Sequence, residues 1–196
     1  MFCNLRGNLC STVFVFCAIA GVSAAEDASV VPEIARPNAE FAPGATNPDI
    51  TQANIGETIC KRGWSTKSIR PPASYTSALK RKQLAASGDT VVNDLPAVPT
   101  KSGKGLRLDI TRCIAHSANP ACYEEDHLIS LELGGHPTSP ANLWAEPWFG
   151  AWNARVKDRL ENRLHRLVCD GTLTLRDAQQ AVATDWVAAY RRFVAP

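Results

Sequence analysis

An aspartate next to a histidine is the feature of this sequence that most directly suggests chemistry. Asp126-His127 follows Glu124-Glu125 and precedes Glu132, Gly134 and Gly135. Asn142 lies downstream, and Asn153, Lys157 and Glu161 follow at intervals of four that suit one side of a helix. A carboxylate and an imidazole side by side can divide labour. One holds a hard cation while the other moves protons near neutral pH.

The elements that would place these residues can be read from the pattern. Tyr123–Leu133 reads as an extended segment, with Gly134-Gly135 permitting a sharp turn. Pro140–Trp148 offers a second short strand. Ala151–Val168 reads as a helix, because Val156, Leu160, Leu164, Leu167 and Val168 recur at helical spacing. At 100° per residue Asn153 falls inside that apolar stripe, where a buried amide must find a partner. Asp170-Gly171 is a helix stop. Thr174-Leu175-Arg176-Asp177 resembles a capping box with Asp in place of Glu, opening a last amphipathic helix through Leu175, Ala178, Val182, Trp186, Tyr190 and Phe193.

Taken together, DHLISLELGG, then Asn142-Leu143, then Asn153 on a helix resemble the motif of the HNH, or His-Me finger, nucleases. The core resemblance spans about Tyr123–Cys169. It implies an α+β fold in which a ββα finger, embedded in additional helices, surrounds one divalent metal. It implies that His127 is the general base and that Asp126 and Asn153 are metal ligands. Asn142 would brace the loop or orient His127, Lys157 would contact the scissile phosphate, and Glu161 would hold metal-bound water. Mg²⁺ suits the oxygen ligands best, with Mn²⁺ or Ca²⁺ as substitutes. Two departures stand out: Ser130 occupies a position where the family often has proline, and the family's zinc-knuckle cysteines are absent.

The remaining chain sets the context. With 196 residues, 45% apolar and 20% charged, the composition is that of one ordinary globular domain rather than a disordered chain or a membrane bundle. Residues 1–25 have the layout of a secretory signal peptide: Arg6, the apolar run Thr12–Gly21, and small residues before Glu26. An exported protein, periplasmic or extracellular and without a membrane span, is the expectation. Residues 26–48, rich in Pro and Ala, read as a flexible arm, and 49–196 as a single domain.

Without the leader, Cys60, Cys113, Cys122 and Cys169 remain, an even set that reads as two disulfides. Three pairings are possible; a local Cys113–Cys122 loop with a long Cys60–Cys169 link is favoured. Zinc is disfavoured because no C-x-x-C or H-x-x-x-H knuckle is present. Thr51–Cys60 reads as a short helix and Ser74–Ala86 as a longer one. Residues 89–122 read as an inserted loop with a strand-like patch at Leu106–Ile110.

The net charge of +2 is too small to argue for a polyanionic partner, so the distribution matters. Lys61, Arg62, Lys67, Arg70, Lys80, Arg81 and Lys82 form a basic run without an acidic residue. With a phosphodiester site nearby, this run is the expected contact for DNA or RNA. Arg155, Arg159 and Arg166 lie on the side of the 151–168 helix away from its apolar stripe and extend the patch. Trp144, Trp148, Phe149 and Trp152 read mainly as packing residues. His116, His136 and His165 read as surface histidines. A secreted metal-dependent endonuclease is therefore the leading expectation. The rival is an exported binding or scaffold protein that keeps the finger without the chemistry.

Overall fold

The computed structural model describes residues 36–87, 97–99, 106–109, 113 and 118–194. The expectations for 1–25, for 26–35 and for most of the 89–122 insert lie outside these residues. Within 89–122, β1 (Ala97–Pro99) pairs antiparallel with β2 (Leu106–Leu108). Strand β2 falls on the anticipated patch, whereas three-residue β1, ending in proline, carries no alternation to detect.

Helix α1 (Ala73–Ala86) begins directly after Arg70-Pro71-Pro72, the point where proline must interrupt a regular element. Thr51–Cys60, expected to be a short helix, instead forms a 3-10 turn at Gln52–Asn54 followed by further turns. Strand β3 (Tyr123–His127) is shorter than the expected extended segment, because a 3-10 turn at Leu131–Leu133 replaces its second half. It pairs antiparallel with β4 (Leu143–Pro147), in the register Glu124 to Glu146, Asp126 to Trp144 and His127 to Leu143. Helix α2 (Ala154–Cys169) and helix α3 (Leu175–Phe193) follow. The chain is thus α+β, with small two-stranded sheets among helices.

The segment joining β3 to β4 is irregular yet buried, so its backbone needs internal partners. Asn142, fully buried, supplies them. Its amide nitrogen donates to Ile129 O (2.9 Å) and His136 O (3.1 Å), and its oxygen accepts from Ile129 N–H (2.9 Å). The two glycines serve different needs. Gly134 has φ +70°, and a Cβ on Gly135 would fall 1.7 Å from Ile129 O.

Residues 36–48 correct the expectation of a flexible arm. Ala42 is buried, Gly44 N–H donates to Ala141 O, and Asn47 N–H donates to Gly134 O, each at 2.8 Å. Thr46 bridges Gly135. This stretch joins the core because the loop across the glycines has backbone groups left to pair.

The main core lies between α2, α3 and the β3–β4 connection, with Leu128, Ile129, Leu133, Leu160, Leu164, Val182 and Trp186 all buried. A smaller cluster gathers Leu84, Cys113, Ala118, Cys122 and Tyr123. Two disulfides brace these clusters, Cys60–Cys169 and Cys113–Cys122, the favoured pairing. The Gly171 stop has φ +80°, and Thr174 Oγ1 accepts from Asp177 N–H at 3.1 Å. Helix α3 breaks at Asp185 (φ −161°, ψ 92°), whose carboxylate restarts the helix by accepting from Val187 and Ala188 N–H.

Candidate functional site

Side chains alternate along a strand, so β3 sends Glu124 and Asp126 to one face and Tyr123, Glu125 and His127 to the other. Because Glu146 pairs with Glu124 across the sheet, a third carboxyl joins the first face. Carboxylate oxygens of Glu124, Asp126 and Glu146 all lie within 4.8 Å of one another. Helix α2 closes this face with Lys157 and Glu161.

Lys157 is fully buried, and its ammonium is the hub. It donates to Asp126 Oδ2 at 2.5 Å, to His127 O at 2.9 Å, and to Glu161 Oε1. Glu146 Oε2 lies 3.5 Å away, an ion-pair distance. Burial is overcome for this lysine: Asp126, Glu146 and Glu161 together push its pKa well above the ordinary value. An ammonium enclosed in this way cannot reach a scissile phosphate, so the role expected for Lys157 is corrected. It is a positioning residue that ties α2 to Asp126 and to the peptide of His127.

The four carboxyl groups behave differently. Burial raises Asp126, but the Lys157 ammonium and a hydrogen bond from Glu146 together outweigh it and hold the group below the usual aspartate range. Burial pushes Glu146 well up, and the neighbouring Asp126 carboxylate, which accepts a hydrogen bond from it, pushes it the same way. Burial also lifts Glu161 to about 8, and lifts Glu124 to about 7 with help from Asp126 and Asp158. Fully ionised, Asp126, Glu146, Glu161 and Glu124 carry four negative charges against one ammonium.

A divalent cation fits this donor set. The oxygens are hard, they converge, and Asp126 keeps about a fifth of its side chain exposed. Asn153 does not share in it. Its oxygen accepts from Arg155 N–H (3.1 Å) and its nitrogen donates to Gly150 O (2.7 Å), which makes it the N-cap of α2. The expected helix started three residues too early, and that error carried Asn153 into the stripe. Glu161, read as a holder of metal-bound water, is buried against Lys157 instead. Glu124, which precedes the motif and could have been read as reaching a metal through water, and Glu146, which spacing did not single out, complete the candidate donor set.

The other grouping of metal-ligating types among the described residues, Cys60, His165 and Cys169, is closed because its two sulfurs are bonded to each other. His165 itself is half-buried against Ile59 O at 2.9 Å.

His127 is buried, with Nε2 2.9 Å from Pro137 O. A carbonyl can only accept, so Nε2 carries the proton and Nδ1 keeps its lone pair. Burial lowers the histidine's pKa despite that hydrogen bond, which favours the neutral ring. Asn142 braces the loop and makes no bond to His127. On this face α1 packs through Gln83, which donates to Glu125 Oε1 and Leu143 O, and through Lys80, which donates to Tyr123 O at 2.7 Å.

The basic run does not form one surface. Lys80 is spent on that carbonyl, and Arg81 is exposed on α1. Lys61 and Arg62 line an open depression of about 680 Å³ beside Trp64 and next to Cys60. The disulfide puts them at the last residue of α2, about 18 Å along the helix from the level of Lys157. Arg70 comes close enough to the cluster to act electrostatically on Glu124, His127 and Asp158, and Lys80 also acts on Glu124.

No family model, curated protein or solved structure matches the chain. Among the described residues no helix is long and apolar enough to cross a membrane. The two disulfides point to an oxidising compartment.

Proposed function

We propose that this chain is an exported, metal-dependent endonuclease of the His-Me finger kind, hydrolysing phosphodiester bonds in DNA or RNA. The observation that carries the reading is a neutral, carbonyl-anchored His127 directly following Asp126 in a convergent set of carboxyls. The order of an antiparallel strand pair and then a helix agrees with the ββα finger implied by the sequence resemblance. Glu124, Asp126 and Glu146 are the residues that would hold the cation, most suitably Mg²⁺. When bound, such an ion supplies charge stabilisation at a phosphoryl oxygen and at the leaving oxygen.

The chain's own residues supply the rest. His127 Nδ1 takes the proton of the attacking water while Pro137 O holds the ring from behind. Lys157 fixes the angle between Asp126 and His127 by binding the side chain of one and the carbonyl of the other. Arg70 offers a guanidinium at the rim, suited to a non-bridging phosphate oxygen.

A second reading draws on Lys157, which already places a positive charge among the carboxyls. On that reading the cluster is a structural ion network in a binding or scaffold protein. Digestion of plasmid DNA and of RNA by the oxidised mature protein with Mg²⁺, Mn²⁺ or EDTA, beside His127→Ala, separates the two. The nuclease reading expects metal-dependent cleavage that is lost in the variant. A folded protein that cleaves neither substrate with any metal supports the scaffold.

A further inference from the structure

Three aromatic rings at the N-terminal end of α2 and the C-terminal end of α3 are each covered by an arginine. Arg155 lies over Trp148 (5.6 Å to the ring centre), Arg159 over Tyr190 (5.5 Å) and Arg191 over Trp152 (5.3 Å). None of these arginines has a carboxylate ion-pair partner among the described residues. Guanidinium groups in solution lose side-chain freedom when they bind; these already rest over an aromatic ring. Their guanidinium N–H groups make no hydrogen bond among the described residues, and a guanidinium fork can meet a phosphate with two parallel hydrogen bonds.

Two of the three rings, Trp152 and Tyr190, are themselves fixed. Trp152 packs edge-on against buried Trp186 (5.8 Å) and against Tyr190 (5.6 Å). The platform is therefore rigid, and binding to it costs little ordering. Its position is also informative. Trp148 lies two residues beyond Glu146, and Arg155 interacts with Asp158, which in turn acts on Glu124 at the carboxyl cluster. The arginines thus begin at the mouth of the candidate site and lead away from it across α2 to α3.

We propose that this stacked-arginine platform, rather than the basic run of residues 61–82, is the track that holds the phosphate backbone of the nucleic-acid substrate. The proposal rests on the nuclease reading for the identity of the polyanion. Charge complementarity and the unpaired forks select a phosphodiester chain as occupant. The platform meets backbone rather than bases, so binding tolerates sequence and weakens with salt.

The test uses the full mature chain carrying His127→Ala, with fluorescence anisotropy of labelled single-stranded and double-stranded oligonucleotides at several salt concentrations. Adding R155Q, R159Q and R191Q is expected to weaken binding at least tenfold. The same triple is expected to reduce the salt slope for duplex by about 2–3, close to 0.9 for each phosphate that an arginine no longer neutralises. K61Q with R62Q is expected to change affinity less than twofold. A lysine triple at the same three positions checks folding and keeps the charge; it is expected to recover only part of the affinity, since an ammonium does not reproduce the fork. Circular dichroism is recorded for each variant. The proposal is overturned if the folded glutamine triple binds like its parent, or if the parent binds neither oligonucleotide at low salt. If the wild type cleaves nothing yet the triple abolishes binding, the nuclease reading fails while the track stands.

Discussion

Lys157 Nζ lies 2.9 Å from His127 O and 2.5 Å from Asp126 Oδ2. One buried ammonium therefore grips both ends of the Asp126-His127 pair, so the relative placement of the Asp126 carboxylate and the His127 peptide is set from α2 rather than by the strand alone. The arrangement is demanding, because removing the cation leaves carboxyl groups buried without it.

Lys157→Met keeps length and apolar volume while deleting the charge. Loss of one partner from a buried ion network costs about 3–5 kcal/mol. Urea denaturation should show a lower midpoint with an unchanged slope. A loss under about 1 kcal/mol would mean that the carboxyls take up protons without structural cost, and that Lys157 holds nothing in place.

The pH dependence of stability has a definite sign. Burial raises Glu124 and Glu125 to about 7 and Glu161 to about 8. From about pH 5 to 8 the folded chain therefore holds protons that the unfolded chain has released, so stability falls as pH rises. His127, lowered by burial, opposes this trend as a single group. In EDTA the melting temperature should drop between about pH 5 and pH 8. Added Mg²⁺ or Ca²⁺ should raise it more at the upper end, where the carboxylates are ionised. A melting temperature that stays level or climbs in EDTA over this range contradicts the assignment.

Asn153 and Glu146 can be told apart by substitution. Asn153→Ala removes an N-cap and should cost about 1 kcal/mol while leaving divalent-cation affinity unchanged by calorimetry. Glu146→Gln keeps the shape of the side chain but removes a ligand, and should weaken the cation at least tenfold. The reverse pattern would restore the ligand set implied by the family resemblance.

Ser130 offers a stabilising change. Its φ of −62° is that of proline, and its buried hydroxyl has no hydrogen-bond partner. Ser130→Pro should add about 0.4–1 kcal/mol by restricting the unfolded chain. Thermal unfolding measures this directly, and a destabilised variant would show that the Ser130 N–H is needed where it stands.

Much of this framework was legible because it depends on short-range spacing. The stripe Leu160, Leu164, Leu167 and Val168 predicts α2, and Asp170-Gly171 and Thr174 predict the boundary between α2 and α3. The carboxyl cluster was less legible. Glu146 meets Glu124 only through a strand register that the irregular connection of residues 128–142 does not encode in its length. Asn153 was misplaced by extending a wheel past the helix end, although an asparagine before the first apolar turn is itself a start signal. Lys157 carried a quiet clue. It sits three and seven residues before Leu160 and Leu164, on the buried stripe, where a lysine must find carboxylates.

The cysteine pairing also imposes a timetable. Cys60 precedes its partner by 109 residues, whereas Cys113 and Cys122 are 9 apart. As a chain emerges N-terminus first, Cys60, Cys113 and Cys122 are all exposed to oxidant while Cys169 is still to come. Cys60 spends that interval as a thiol without its partner, while the 9-residue spacing of Cys113 and Cys122 favours their own local bond over a longer loop back to Cys60. The native long link belongs to the finished chain, after α2 has reached its last turn. The local bond can therefore be in place before the long one closes the chain.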